Sequence, residues 1–242
     1  MRFPTRSFRL LVPGAVAGLV LLVGFFQPAK ADDPQATGKF TTVLLDAGHG
    51  GKDNGGTSGS ERPFQREKDL TLDTVFRIRD VLKKAGIRVI LTRDADYFIE
   101  LDDRVAMANK LGPGGVLISI HYNAVGGSEV RGAQTFFWHA SSHGIATRIQ
   151  RHLVAATGEP DIGVTRRRLR LTRNPEIPGV LCECAYLTNP VENNLVANPN
   201  YRQRIAEGIA AGIIEQYKIG DAGIPSVPEI WAPMSRATDP RL

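Results

Sequence analysis

The sequence predicts an α/β domain: a mainly parallel sheet with helices on both faces. Two observations carry this. Short apolar runs alternate along the chain with stretches whose apolar residues recur at helical spacing. The run Val116–Ile120 is almost wholly apolar, as expected of a strand buried on both faces.

Residues 1–31 read as a targeting segment rather than as fold. Arg2, Arg6 and Arg9 precede the apolar run Leu10–Phe26, and Ala29-Lys30-Ala31 has the small-x-small pattern of a cleavage site. The rival is an uncleaved anchor, because 17 apolar or small residues nearly span a bilayer. Pro13, Gly14, Gly18 and Gly24, with the cleavage pattern, favour removal. The expected destination is the periplasm or the extracellular wall, with no stable membrane span after cleavage.

The chain has 30 Lys+Arg against 25 Asp+Glu, but four of those cations and no acid lie within residues 1–31. The remainder is therefore close to neutral, and the charge gives no argument for nucleic acid. The remaining length suffices for one full core. Cys182 and Cys184 are the two cysteines. One residue apart on a strand, they make a poor disulfide and read as small buried apolar groups.

Residues 32–39 form a polar leader, and residues 40–219 are expected to be the domain. Thr41–Asp46 is the first strand, β-branched and apolar. Gly48–Arg66 is a long loop rich in Gly, Ser, Asn and Pro, of a length that is often functional. Lys68–Ala85 reads as a helix, with Leu70, Val75, Ile78 and Leu82 on one stripe and Gly86 as its stop. Ile87–Thr92 is a strand and Leu101–Leu111 a helix, broken by Gly112–Gly115. Val116–Ile120 and Gln134–Trp138 are strands, Ser141–Thr157 a helix, Val180–Ala185 a buried strand, and Tyr201–Tyr217 a last helix. Residues 220–242 hold Pro225, Pro228, Pro233 and Pro240 with little periodicity, which suggests a flexible or surface-draped tail.

Open α/β sheets bind ligands just outside the carboxyl ends of their strands. His49 follows the first strand within Asp46-Ala47-Gly48-His49-Gly50-Gly51, and His121 directly follows Val116–Ile120. Glu183 interrupts an apolar strand, which is costly unless the carboxylate is paired, protonated or near a metal. Glu67 opens the first helix, where the helix dipole alone would favour an acid. Together these four look like a zinc hydrolase site. His49, Glu67 and His121 would be ligands, and Glu183 the base that takes a proton from water and delivers it to the leaving group.

Six pieces in order resemble the zinc-dependent N-acetylmuramoyl-L-alanine amidases. They are Leu45-Asp46-Ala47-Gly48-His49-Gly50-Gly51, Glu67-Lys68-Asp69-Leu70, Leu91-Thr92-Arg93-Asp94, Arg104-x-x-x-Ala108-Asn109, Ser119-Ile120-His121-Tyr122-Asn123 and Glu183-Cys184-Ala185-Tyr186-Leu187-Thr188-Asn189. The resemblance implies a twisted, mostly parallel six-stranded sheet and one zinc ion on His49, Glu67 and His121. It implies Glu183 as the catalytic residue, and peptidoglycan, cut between muramic acid and L-alanine, as substrate. The family's usual Gly-Phe after the glutamate strand is Ala185-Tyr186 here. Some members carry a long occluding helix between the strand after the second His and the next helix; here that gap is residues 139–141, so no such helix is expected. Whether an activator protein is needed is open.

Three weaker expectations concern substrate and support. Asn123 would hydrogen-bond the stem peptide, Arg173 would meet its negative charge, and Asp46 would hold a ring nitrogen of a ligand His. For each, an ordinary capping or surface role competes. His139, His143 and His152 read as solvent-facing, and Arg166-Arg167-Arg168 as a solvated basic loop. Two other functions stand beside the amidase: a wall-binding protein on the same fold without turnover, and a zinc peptidase acting within the stem peptide. Retention of all four site residues argues against the first; only product identity separates the second.

Overall fold

A computed structural model describes residues 38–230 of the chain. The expected signal peptide, most of the leader and the last twelve residues of the expected tail lie outside the described residues. Strands β1 (Thr42–Ala47), β2 (Arg88–Leu91), β3 (Gly115–Asn123), β4 (Ala133–Phe137), β5 (Asp161–Arg166) and β6 (Gly179–Tyr186) form one sheet in the order β2-β1-β3-β6-β4-β5. Every neighbouring pair is parallel except β4 with β6. The helices are α1 (Glu67–Lys84), α2 (Leu101–Asn109), α3 (His143–Thr157), α4 (Arg170–Arg173), α5 (Pro190–Ala197) and α6 (Pro199–Ile219). The α/β fold with a mostly parallel sheet and helices on both faces is as the sequence predicts.

The period-2 pleat divides the core. Val43 and Leu45 of β1, Val116, Ile118 and Ile120 of β3, and Cys182 and Cys184 of β6 pack with the apolar stripes of α1, α3 and α6. Leu44 and Leu117 face the other way, onto Ala108 of α2 and Leu171 of α4. Both cysteines are buried core groups; burial pushes the Cys182 thiol up to about 12. Glu183, between them, necessarily points to the α2/α4 face. The chain leaves β1 toward β2 on one side and enters β3 on the other. A crevice therefore opens at the carboxyl ends of β1 and β3, where the strand order reverses.

β3 runs three residues beyond the expected strand, so His121 lies within it rather than after it. β5, α4 and α5 have no counterpart in the sequence-based expectation. β5 is a partly exposed edge strand broken by Gly163 at φ 96°. α5 starts with Pro190, and the Asn189 side chain accepts the amides of Val191 and Glu192. Between β4 and α3 the chain makes a single 3-10 turn, residues 140–142. Residues 220–230 are draped on this side of the domain: Arg148 donates to the carbonyls of Gly220 (2.8 Å) and Ala222 (2.6 Å), and Glu229 accepts the Ala140 amide (2.8 Å).

Candidate functional site

The site is built where β1 ends. His49 has φ 61°, a left-handed conformation that costs a non-glycine residue about 1–2 kcal/mol. The surroundings hold it there through its own backbone and that of its neighbours. Arg104 donates to the carbonyls of Ala47 (2.6 Å) and His49 (2.7 Å), and Arg93 to those of Ala47 (3.0 Å) and Gly48 (2.9 Å). Lys68 donates to Gly51 (2.8 Å). Both arginines are buried. A strained residue persists only where such contacts over-determine it, and this is common at functional sites.

Glu67, the first residue of α1, turns its carboxylate back into the crevice. Oε1 accepts the Tyr122 amide (3.1 Å) and lies 2.8 Å from His121 Nδ1; Oε2 accepts the Gly56 amide (2.7 Å) and lies 3.0 Å from His49 Nε2. The His49 and His121 rings meet edge to face at 4.9 Å. One donor atom from each of His49, Glu67 and His121 falls within 4.8 Å of the others, so these three can hold a metal ion. The remaining His49 nitrogen, Nδ1, bonds Asp53 Oδ2 at 2.8 Å, the outer support that metal-binding imidazoles usually have. Glycines clear the space. A Cβ on Gly48 would lie 2.4 Å from the His121 ring, and one on Gly55 2.5 Å from both Glu67 Oε2 and the His49 ring.

Glu183 stands beside this cluster, because β6 pairs His121 directly with Glu183. It is 2% exposed, and its Oε2 has no hydrogen-bond partner among the described residues. Burial, and then the charge of Glu67, push its carboxyl well above the ordinary range. Glu67 goes the other way. Burial alone would raise it, but hydrogen bonds from His121 and His49 outweigh that and hold it below the ordinary range. Burial likewise opposes charge on His49, and the bonds to Glu67 and Asp53 overcome it, raising the imidazole to about 9.

Asp46 does not do what the sequence suggests. Its carboxylate takes the Thr92 hydroxyl (2.7 Å), the Arg104 guanidinium (2.6 Å) and the Ser119 hydroxyl (2.6 Å), on the α2 face of the sheet. Asp53, in the loop, supports His49 instead. Asn123 ends β3 half-buried and pairs in register with Tyr186 of β6. Arg173 is enclosed on α4, with Nε donating to Asn174 at 2.9 Å. His139 is half-buried rather than solvent-facing and lies 2.7 Å from the Arg173 carbonyl; His152 bonds Glu215 at 2.6 Å. Sequence reasoning assigned no role to Asp53, Arg93 or Arg104, although both arginines lie in motifs that carried the resemblance.

The family model for N-acetylmuramoyl-L-alanine amidase matches residues 43–215. The chain is 32% identical over 197 residues to the germination-specific N-acetylmuramoyl-L-alanine amidase of Bacillus subtilis, covering 72% of this chain and 79% of that protein. The catalytic domain of CwlV, an N-acetylmuramoyl-L-alanine amidase from Bacillus (Paenibacillus) polymyxa var. colistinus, superposes with a TM-score of 0.69 at 33% identity, over 74% of this chain and 99% of that one. The CwlD amidase of Clostridioides difficile, solved in complex with the GerS lipoprotein, gives 0.68 at 30% identity, over 74% and 98%. With its fold, and a family match over most of its length, the chain belongs to the N-acetylmuramoyl-L-alanine amidase family.

Proposed function

We propose that this chain is an exported, zinc-dependent peptidoglycan hydrolase that cleaves the amide between N-acetylmuramic acid and the L-alanine of the stem peptide. Its zinc ligands would be His49, Glu67 and His121, and Glu183 its acid–base residue. The observation that carries this reading is the opposite environment of two buried carboxylates in one crevice. Glu67 is held as an anion by two imidazoles and two amides, which suits a ligand. Glu183 has an unpartnered oxygen and a raised affinity for a proton, which suits a group that carries one.

Two imidazoles and a carboxylate form a common catalytic zinc set. Bound zinc supplies Lewis acidity toward the amide carbonyl and makes water acidic enough to attack near neutral pH. Glu183 accepts the proton of the attacking water and delivers it to the L-alanine nitrogen, which could not otherwise leave as an amine. Glu67 keeps both imidazoles aimed inward, and Asp53 fixes the His49 tautomer by accepting its Nδ1–H. Asn123, two residues past His121, would hydrogen-bond the stem peptide. Export rests on the composition of residues 1–31 and on the location of the polymer substrate. Among the described residues no helix is long and apolar enough to cross a membrane.

The test is mass spectrometry of products from purified peptidoglycan incubated with zinc-loaded protein and with Glu183→Gln. Stem peptides with a free L-alanine amine, absent with Glu183→Gln or a chelator, are expected. Products cut inside the stem would move the function to a peptidase, and sacculus binding without products would move it to a wall-binding protein.

A further inference from the structure

The triplet Arg166-Arg167-Arg168 is not the solvated loop its composition suggests. Arg166 ends β5, and each guanidinium lies over one ring of the consecutive aromatics of β4 and its end. Arg166 sits 5.2 Å from the Phe137 centroid, Arg167 5.3 Å from Phe136 and Arg168 5.7 Å from Trp138. The Arg167 amide donates to the Phe137 carbonyl at 2.8 Å, which extends the β4–β5 register and locks the pairing of rings with cations.

The pleat separates these cations by face. Phe136 pairs with Leu181 of β6 and packs on Leu181 and Leu169. Leu181 lies two residues before Glu183 on the same face, about 6.8 Å along the strand. Arg167 therefore shares the face of Glu183, and its charge acts on that carboxyl. Phe137 belongs to the opposite core with α3, so Arg166 lies on the far face. Arg170, nearby, is committed to Asp102 at 3.3 Å. Among the described residues, no carboxylate lies within ion-pair distance of Arg167. Its planar fork is braced on a ring that is itself fixed by two leucines. A guanidinium held this way keeps in-plane donors ready for a bidentate carboxylate.

We propose that Arg167, braced on Phe136 and with Arg168 on Trp138 beside it, forms a subsite for a free carboxylate of the stem peptide. The enzyme would then prefer stems whose carboxylate is free over stems in which it is a carboxamide. The separation is compatible: Phe136 pairs with Leu181, one strand over and two residues from Glu183, roughly 8 Å away, with the Arg167 guanidinium over its ring, and a carboxylate two residues beyond the scissile amide reaches about 7 Å from it. The carboxylate is taken as part of the substrate because the cation shares the face of the acid–base residue. This deepens the amidase reading and rests on it.

The experiment separates binding from turnover. Two synthetic muramoyl peptides, identical except that the second residue carries a free carboxylate or a carboxamide, are titrated by calorimetry against zinc-loaded protein. The same pair is followed for hydrolysis. Wild type is expected to bind the acid about tenfold more tightly than the amide, the effect of one charge-assisted pair. Arg167→Gln is expected to abolish that difference, raising KM for the acid about tenfold with kcat within about twofold, whereas Arg166→Gln, on the far face, keeps the preference. Equal affinity of wild type for the two peptides would overturn the subsite. So would an Arg167→Gln effect confined to kcat, which would mean action through Glu183 alone. Competition by inorganic phosphate more effective than by the acid peptide would overturn it in favour of a phosphate-bearing polymer. Acid preference in binding with neither peptide cut would keep the subsite and overturn the amidase reading.

Discussion

His49 Nδ1 lies 2.8 Å from Oδ2 of Asp53, four residues further on, while His49 Nε2 faces Glu67 at 3.0 Å. The imidazole is thus spanned by two acids, one that could share a metal with it and one that holds the ring. Asp53→Asn keeps the shape but weakens this support. Metal affinity, measured by competition with a chromogenic chelator, is expected to fall about 10–100-fold, with little change in the far-UV signal.

The same pair makes metal uptake depend on pH. In the metal-free protein His49 titrates near 9, so below that pH a metal must displace a proton. Apparent affinity is expected to rise about tenfold per pH unit and to level off near pH 9. Stability of the chelated protein should move oppositely. The folded pKa is raised above the ordinary 6.5, so this contribution is fully present below 6.5 and is lost as pH climbs through about 9. Melting of the chelated and metal-loaded proteins across this range checks both signs. In Asp53→Asn the decline should be smaller.

Three of the four candidate site residues were legible in the sequence because each breaks a local rule; Glu67 does not, since an acid suits the first turn of a helix. His49 and His121 follow apolar runs in the sequence, and Glu183 is a charge in a run that the core would otherwise claim. Asp53 breaks no rule: it is one polar residue in a long polar loop, and only the turn at His49 brings it back to the ring. Asp46 was misleading for the same reason. It stands close to His49 in sequence, but its carboxylate is taken up by the Thr92 and Ser119 hydroxyls and the Arg104 guanidinium. β5 escaped notice because it is a short, partly exposed edge strand with Gly163 inside it, whose alternation rests on Ile162 and Val164 alone. α4 has four residues, too few to show a period.

Asp46 and Arg104 are both buried and 2.6 Å apart. Burial alone would raise Asp46, and the Arg104 charge, with Ser119 and Thr92, holds its carboxyl below the ordinary range. Removing either charge strands the other. Asp46→Asn and Arg104→Met are each expected to cost about 3–5 kcal/mol in denaturant unfolding, and the double variant less than the sum. Their effects on the site should differ. Arg104 also carries the carbonyls of Ala47 and His49, so Arg104→Met should lower metal affinity in the surviving folded fraction, whereas Asp46→Asn should leave it near wild type.

Gly48 and Gly59 separate space from backbone conformation. A Cβ on Gly48 would fall 2.4 Å from the His121 ring, and Gly48 is not among the residues with positive φ. Gly48→Ala therefore acts by pushing His121, a candidate ligand, aside. It is expected to cost about 1–3 kcal/mol as overpacking and to abolish metal retention and hydrolysis. Gly59 has φ 57° and nothing within 4 Å of an added Cβ. Gly59→Ala is expected to lose about 1–2 kcal/mol from the left-handed penalty while keeping metal content and kcat. Metal content by atomic emission, read beside the unfolding midpoint of each variant, distinguishes the two. If Gly48→Ala kept its metal, His121 could yield without leaving the cluster, and the close approach of β1 and β3 would not be what fixes the ligand.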